Sequence, residues 1–332
     1  WPSWMIEIGF LTILALVNLI AVKLFGEVEF WFAMVKIVAI IALIVTAIFM
    51  VLTGFKTPNG VASISNISQN FQLFPNGFMS FVMGFQMVFF AYQAIEFIGI
   101  TTSETANPRQ VLPKAIKEIP LRIVLFYGGS LLAIMAIIPW RDLATTDSPF
   151  VIVFKLAGLK WAAALINFVV LTSAASALNS TLYSTGRHLY QIAHDSPNRF
   201  LNGIGAGKLS RQNVPQNAIL TSAVVIALAA FIQVLPGVSD SFALITASSS
   251  GVYIAIYALT MIAHLKYRKS KEFMADGYLM PAYKFLNPLT LLFFAFVFIT
   301  LFLQKSTVVG AIGSAIWILI FGIYSQLKFK DK

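Results

Sequence analysis

The chain has 332 residues, of which 58% are hydrophobic and 11% are charged, and its mean hydropathy is +0.83. This number of charged side chains is too small to cover the surface of a soluble protein of this length. The composition therefore predicts an all-α protein that crosses a membrane several times. The net charge of +10 does not indicate nucleic acid, because basic residues collect in the cytoplasmic loops of membrane proteins, and the absence of cysteine excludes thiol chemistry and thiolate metal sites.

Runs of about 20 apolar residues, the length that crosses a bilayer as a helix, recur along the whole chain. Gly and Pro separate these runs, as at Asn107-Pro108 and Pro236-Gly237. The runs predict nine membrane spans at about 5–24, 31–53, 78–100, 121–139, 161–186, 216–235, 241–264, 286–303 and 308–327.

Lys and Arg are distributed unequally between the two sides that these spans define. Eighteen of the 23 basic residues lie on one side, which the positive-inside rule identifies as cytoplasmic. This places the Trp1 end outside and the Lys332 end in the cytoplasm. No signal peptide is visible and the first residue is not Met, so we expect the chain to begin partway into a longer protein, after an odd number of further spans.

The predicted span at 78–100 contains polar side chains in its middle. Tyr92, Gln93 and Glu96 interrupt the apolar run there. A carboxylate at that depth costs about 2.5–3.5 kcal/mol even on the insertion scale, so it indicates a function or a fixed partner. One interpretation is that the helix unwinds from Phe90 to Glu96 and presents backbone groups to a ligand. The alternative is a continuous helix in which Glu96 hydrogen-bonds a neighbouring helix.

A lysine lies inside the second span. Lys36 follows the acidic residues Glu27 and Glu29, about five residues into the apolar run. Its ammonium group either snorkels to the cytoplasmic interface or stays desolvated and exchanges a proton during transport.

The fifth span carries hydroxyl and amide side chains on one helix face. Thr172, Ser173, Ser176 and Asn179 recur there at helical three- and four-residue spacings. These residues either let helices approach closely or coordinate a cation and receive a proton from a lysine.

Other patterns favour structural interpretations. The serines and glycine at 248–251 in the seventh span are interpreted as packing contacts. Residues 203–208 resemble a phosphate loop but lack its first glycine and its final Ser or Thr, so a flexible cytoplasmic linker is predicted. No spacing of His, Asp or Glu suits a metal site, a hydrolase or a transferase, so neither a cofactor nor an enzyme activity is predicted.

Four segments of the chain form long, specific motifs: FGEVEFWF (25–32) leading into Lys36, FFAYQAIEFIGITTSETANPRQVLPKAI (89–116), IPLRIVLFY (119–127) and INFVVLTSAASALNSTLYSTGRHLY (166–190). Together they resemble the amino acid transporter family of the amino acid-polyamine-organocation superfamily. Within that family the chain is most similar to the bacterial permeases for D-alanine, D-serine and glycine. The resemblance covers essentially the whole of residues 1–332.

The resemblance implies a bundle of twelve spans, in which two inverted repeats of five surround a midplane site and two further spans follow. The nine spans match the fourth to the twelfth of these, so the first three are missing. Residues 5–53 would then end the first repeat, 78–264 would form the complete second repeat and 286–327 the two C-terminal helices. The half of the site that binds the substrate carboxylate is expected upstream of Trp1.

The resemblance also implies roles for individual residues. Phe90 matches an aromatic gate over the substrate. The unwound backbone that receives the substrate ammonium group is matched by Ala91, Tyr92, Gln93, Ala94 and Ile95, and Glu96 matches an acidic residue that braces the break. A lysine that takes the place of a coupling cation, with its neighbours on the facing helix, is matched by Lys36, Thr172, Ser173, Ser176 and Asn179. The family commonly has glycine where this chain has Ala94, and a methyl group there would narrow the approach of a substrate to the backbone.

The span pattern, the polar break and Lys36 predict a secondary transporter of the bacterial cytoplasmic membrane that imports a small neutral amino acid by alternating access coupled to protons. The resemblance implies a substrate similar to D-alanine, D-serine or glycine. Its predicted partners are the amino acid, the coupling proton and the lipid bilayer, without nucleic acid. The alternatives are a permease for another amino acid class, coupling to sodium, and a membrane sensor or accessory subunit that does not transport. The sequence leaves the enantiomer and the oligomeric state open.

Overall fold

The computed structural model describes residues 3–20, 22–69, 71–100, 105, 107–143, 148–195, 198–230, 241–274 and 278–328. This part of the chain is mostly α-helical. Its helices are α1 (Ser3–Ile20), α2 (Val22–Leu52), α3 (Ser65–Ser68), α4 (Phe78–Ala91), α5 (Phe97–Ile100), α6 (Pro108–Ile123), α7 (Gly129–Ile137), α8 (Pro149–Leu156), α9 (Lys160–His194), α10 (Arg199–Gly203), α11 (Gln216–Ala230), α12 (Ser241–Tyr267), α13 (Tyr283–Thr300) and α14 (Lys305–Lys328). A short antiparallel hairpin pairs β1 (Lys56–Thr57) with β2 (Gly60–Val61).

Six helical stretches in the described residues are long and apolar enough to cross a membrane. They are Gly26–Leu52, Pro108–Ile137, Trp161–His194, Phe242–Tyr267, Tyr283–Thr300 and Lys305–Leu327. Three shorter apolar helices lie where the sequence predicts the remaining spans, at Trp4–Leu19, Phe78–Ala91 and Gln216–Ala229. The prediction of a polytopic helical membrane protein is confirmed, whereas the count of nine spans stays a prediction.

The fourth span begins earlier than the sequence predicts. The apolar run places it at 121–139, but the helix is continuous over Pro108–Ile137. Pro108 is the first helical residue, where a missing N–H is no loss. Pro120 removes a backbone donor inside the helix, and the π-helical turn Val124–Gly128 follows shortly after it. A search for apolar runs overlooks the polar first half of this helix.

The chain forms two compact units, each made of two separate segments. The first comprises Trp1–Phe71 and Lys114–Phe231, and the second comprises Gln72–Pro113 and Ile232–Lys332. The predicted second repeat, 78–264, contributes to both units. Compact packing therefore divides the chain differently from the repeats that the resemblance implies, and the repeat boundaries stay a prediction.

In the first unit, α2 packs along α7, α8 and α9. Its core includes the fully buried side chains of Leu43, Ile137 and Val153. α9 and α11 approach each other at Gly186, where an added methyl group would lie 2.6 Å from Cγ1 of Ile219. Glycine is required there because any side chain would separate the two helices.

In the second unit, α12 packs against α14, α13 and α4. The ring of Phe89 on α4 makes edge contacts with Tyr257 and Phe294, with centroids 6.0 and 6.1 Å away. On the α14 side, a methyl group added to Gly251 would lie 2.0 Å from Oγ of Ser314. The interpretation of Gly251 as a packing residue therefore agrees with the structure.

The glycine-rich stretch at 203–208 is packed against the protein. Ala206 is completely buried and lies in one cluster with Ala193 of α9 and Ala218 of α11. The Asn217 side chain donates hydrogen bonds to two backbone carbonyls of this stretch, at 3.1 and 3.4 Å. These contacts fix the segment between two helices, so the prediction of a flexible linker is wrong.

Candidate functional site

The span that carries Glu96 is unwound in its middle. α4 ends at Ala91 and α5 begins at Phe97, and residues 92–96 between them form consecutive turns. The structure therefore shows the broken helix and not the continuous one. Phe90 and Ala91, which the sequence places within the break, still belong to α4. The helix therefore continues two residues further than predicted and ends directly before Tyr92, the first of the three polar residues.

The break depends on one left-handed residue. Ala94 has a φ of +72°, the only positive φ among residues 92–96. This conformation costs roughly 1–2 kcal/mol for a residue with a Cβ atom, and glycine avoids that cost. After Ala94 the N–H of Phe97 donates to the carbonyl of Ala94 at 3.2 Å, and helical turns resume. The position at which the resemblance implies glycine is thus one where the backbone conformation favours glycine.

Both ends of the Gln93 side chain are hydrogen-bonded to α12. Ser249 donates its hydroxyl to Oε1 of Gln93 at 3.0 Å, and Nε2 of Gln93 donates to Oγ of Ser250 at 3.0 Å. Gln86, two turns earlier on α4, also donates to Oγ of Ser250, at 3.5 Å. These serines fix the unwound segment to α12, which is more than the packing contact that the sequence suggests for them.

The carboxylate of Glu96 is also held by α12. The hydroxyl of Tyr257 donates to Oε2 of Glu96 at 2.5 Å, and Tyr253, one turn earlier, interacts with the same carboxylate. No Lys or Arg in the described part of the chain forms a salt bridge with it. The geometry shows Glu96 as a brace between the break and α12.

Lys36 of α2 turns its side chain toward α9. Its Nζ donates to Oγ of Ser176 at 2.8 Å. The Ser176 hydroxyl donates in turn to Oε1 of Glu29 at 2.5 Å, and Nζ of Lys36 lies 4.0 Å from that oxygen. The side chain of Lys36 is 31% exposed and that of Glu29 is 28% exposed. The ammonium group therefore ends at a helix contact, which is not the geometry of a snorkelling lysine.

The other hydroxyl residues of that set have different partners. Thr172 and Ser173 donate to the carbonyl of Val169 on their own helix, at 2.9 and 2.8 Å. Such bonds back to the preceding turn are common for Ser and Thr in helices. Within the described residues, the structure brings Lys36 together with Ser176 and not with Thr172 or Ser173.

Asn179, the last member of the set, belongs to a buried pair of amides. Nδ2 of Asn18 on α1 donates to Oδ1 of Asn179 at 2.7 Å, and both side chains are almost completely buried. Asn18 also donates to the carbonyl of Leu14, at 2.9 Å. Asn179 therefore joins α9 to α1.

Sequence reasoning missed several residues of these two networks. Tyr257 and Asn18 are in contact with predicted residues but carry no signal of their own, because single polar residues in apolar helices are common. For Ser249 and Ser250 the sequence predicts packing but not the hydrogen bonds to Gln93. Glu29 could have been found. It precedes the lysine by seven residues, which places both side chains on one helix face about two turns apart.

A helical membrane protein with an unwound span and a lysine held inside another span has the features of a membrane transporter. The chain matches the amino acid permease family over residues 1–332 and belongs to that family. The family consists of permeases, which are membrane transporters and not enzymes.

Three relatives with assigned substrates illustrate the match. The chain is 49% identical over 327 residues to the DL-alanine permease of Lactococcus lactis subsp. cremoris, which aligns 98% of this chain with 71% of the relative. It is 45% identical over 335 residues to the serine permease of the same organism, covering 98% of the chain and 72% of that protein. It is 37% identical over 327 residues to the D-serine/D-alanine/glycine transporter of Escherichia coli, covering 97% and 68%.

Proposed function

We propose that this protein is a secondary transporter that imports a small neutral amino acid, of the alanine, serine and glycine class, across the bacterial cytoplasmic membrane by alternating access coupled to protons. The observation that carries the proposal is the unwound segment at 92–96, fixed to α12 through Gln93 and Glu96. A break that is held in one conformation can serve as a binding site, because its backbone groups are already oriented.

The backbone of this segment is the proposed binding surface for the substrate ammonium group. The side chains of Gln93 and Glu96 are engaged by α12, which favours the backbone as the contact with substrate. α4 also directs its C-terminal end, which carries a partial negative charge, toward the break. The proposed contact residues are Phe90, Ala91, Tyr92, Gln93, Ala94 and Ile95, with Glu96 as the brace.

Two observations support a substrate with a small side chain. Ala94 has a positive φ within the break, and its methyl group would narrow the approach of a substrate to the backbone where glycine would leave space. The relatives at 49%, 45% and 37% identity are named for alanine, serine and glycine.

Phe90 is the proposed aromatic gate at the end of α4. Its ring packs edge-on against that of Phe242, with the centroids 6.1 Å apart.

The proposed coupling residue is Lys36. A membrane span tolerates an ammonium group when partners hold it, and Ser176 and Glu29 are within reach. We propose that Lys36 loses and regains a proton in each transport cycle. The proposed arrangement has nine spans, with the Trp1 end outside and the Lys332 end in the cytoplasm, from the unequal distribution of basic residues.

The test is uptake of radiolabelled D- and L-alanine, D- and L-serine and glycine by transporter-deficient bacteria that express the full-length protein. We expect accumulation of at least one of these amino acids and its loss when a protonophore is added. Uptake that survives the protonophore but requires sodium would overturn the proton coupling. Substrate binding without any uptake would indicate a sensor or accessory subunit.

A substitution at Lys36 tests its role directly. Lys36→Ala is expected to abolish accumulation while part of the exchange of internal for external substrate remains, since exchange needs no net proton movement. The control is Lys56→Ala in the exposed hairpin, which should accumulate substrate as the wild type does. Equal accumulation by both variants would remove Lys36 from the coupling mechanism.

A further inference from the structure

The hydrogen bonds of Lys36 continue through Ser176 to a carboxylate. Nζ of Lys36 lies 2.8 Å from Oγ of Ser176, and this oxygen lies 2.5 Å from Oε1 of Glu29. The direct distance from Nζ to Oε1 is 4.0 Å, which is too long for a hydrogen bond. The serine hydroxyl is therefore the connection between the two charged groups.

The two hydrogen bonds point in the same direction. The ammonium group can only donate and the ionised carboxylate can only accept, while a hydroxyl group does both. Ser176 thus accepts from Lys36 and donates to Glu29. This is the arrangement that a proton relay needs, since every donor faces an acceptor.

The connection between the two charged groups is buried. Ser176 is 1% exposed, so the link between the two groups is out of contact with water. Oε2 of Glu29 is buried and has no hydrogen-bond partner within the described residues. Glu29 thus has one carboxylate oxygen that is bonded to Ser176 and a second acceptor oxygen that the described residues leave unused.

The position of Glu29 suits a proton that moves along α2. Glu29 lies seven residues nearer the start of α2 than Lys36, a rise of about 10 Å along the helix. In the proposed orientation that end of α2 is cytoplasmic. No other charged side chain in the described part of the chain forms a salt bridge with Lys36 or Glu29.

We propose that Glu29 accepts the coupling proton from Lys36 through Ser176 and releases it toward the cytoplasm. In this step an N–H bond of Lys36 breaks and its proton binds Oγ of Ser176, while the original hydroxyl proton of Ser176 binds Oε1 of Glu29. The products are a neutral amine, an unchanged serine and a neutral carboxylic acid, so protons and charges balance. The proposal rests on the proposed function, because it requires proton coupling through Lys36.

The experiment compares variants of the full-length protein in proteoliposomes. Net uptake and substrate-driven proton movement are measured with labelled amino acid and an internal pH dye, and exchange is measured separately by counterflow. Glu29→Gln is expected to lower the rate of net uptake by roughly 10²-fold, as for a lost acid-base group, while counterflow continues. Ser176→Ala is expected to do the same, and Ser176→Thr, which keeps a hydroxyl, should retain net uptake.

Glu27→Gln is the matched control, because Glu27 lies two residues away on α2 and is exposed; it should keep both activities. Net uptake by Glu29→Gln at the wild-type rate would overturn the relay. The proposed function would still hold in that case, provided that uptake by the wild type is sensitive to a protonophore. Wild-type uptake that a protonophore does not affect would instead overturn the proton coupling itself. If Glu29→Gln does not fold, equal net uptake by Ser176→Ala and Ser176→Thr would overturn the relay.

Discussion

The hydroxyl of Tyr257 donates a hydrogen bond of 2.5 Å to Oε2 of Glu96 and so joins α12 to the residue that ends the helix break. Without a partner, this carboxylate would be costly among apolar helices. Gln93 is fixed to the same helix three residues earlier, and Ala94 makes the left-handed turn between them. The unwound segment is therefore a defined conformation with two attachments to one helix.

Removing the Tyr257 hydroxyl tests the brace. Tyr257→Phe keeps the ring contacts and deletes only the donor, which is worth about 1.5–3 kcal/mol for a hydrogen bond to a charged group. We expect a lower midpoint of thermal unfolding in detergent and slower uptake. Tyr278→Phe is the control, since Tyr278 is 48% exposed. Equal midpoints for the two variants would mean that the Tyr257 hydrogen bond contributes nothing to stability.

The left-handed turn at Ala94 predicts a stabilising substitution. Ala94→Gly removes the steric penalty of a positive φ, so we expect a gain of about 1 kcal/mol in the free energy of unfolding. Ala91→Gly, at the last residue of α4, should have the opposite sign and cost about 0.5–1 kcal/mol. Both are measured by thermal unfolding. Destabilisation by Ala94→Gly would contradict the strained conformation.

Substrate selection is a second readout of Ala94→Gly. The extra space beside the backbone should allow amino acids with larger side chains to compete for uptake of labelled alanine. Competition profiles for serine, threonine and valine would be compared between the variant and the wild type. Identical profiles would show that the methyl group of Ala94 does not limit the size of the substrate.

The sequence predicts the polar features inside the spans but not their partners. A carboxylate or an ammonium group in an apolar run indicates a function or a fixed partner, so Glu96 and Lys36 can be recognised from the sequence alone. The partner of Glu96 is Tyr257, 161 residues away. No local pattern indicates which helix faces will meet, because contacts in a membrane are set by packing of whole surfaces.

The bounds of the helices can likewise be predicted only in part from the sequence. Three polar residues predict the break, but the predicted start at Phe90 lies two residues before the observed one, because side-chain polarity does not show where helical hydrogen bonds end. The apolar pattern predicts only the second half of the long helix Pro108–Ile137, since the first half of this helix is polar. The link between Ser176 and Glu29 follows only from the relative rotation of α2 and α9.

A double-mutant cycle tests the clamp between Gln93 and α12, which is the pair of hydrogen bonds from Gln93 to Ser249 and Ser250. Gln93→Ala and Ser250→Ala each remove the same hydrogen bond of 3.0 Å, so their costs should overlap. We expect a coupling energy of about 1 kcal/mol from unfolding midpoints. The control cycle combines Gln93→Ala with Thr290→Ala, because the Thr290 hydroxyl bonds to its own helix. Additive costs for Gln93 and Ser250 would show that the clamp is not a cooperative contact.

The contact between α12 and α14 predicts different outcomes for two glycines of the same helix. A methyl group on Gly310 would lie 2.7 Å from the carbonyl oxygen of Leu244 and 2.9 Å from the backbone nitrogen of Ser248, whereas one on Gly313 would have nothing within 4 Å. Backbone atoms cannot move aside as a flexible side chain can, so Gly310→Ala should cost about 1–3 kcal/mol of stability. Gly313→Ala should be neutral or stabilising by up to about 1 kcal/mol, because alanine favours the helix.

The two glycine variants also test whether α14 supports the site through α12. Ser249 and Ser250, which hold Gln93, belong to the same part of α12 that contacts Gly310 through Ser248. If a displaced α12 disturbs this clamp, Gly310→Ala should slow uptake as well as lower the unfolding midpoint, while Gly313→Ala should leave both unchanged. A Gly310→Ala protein that is less stable but transports at the wild-type rate would restrict the role of α14 to stability.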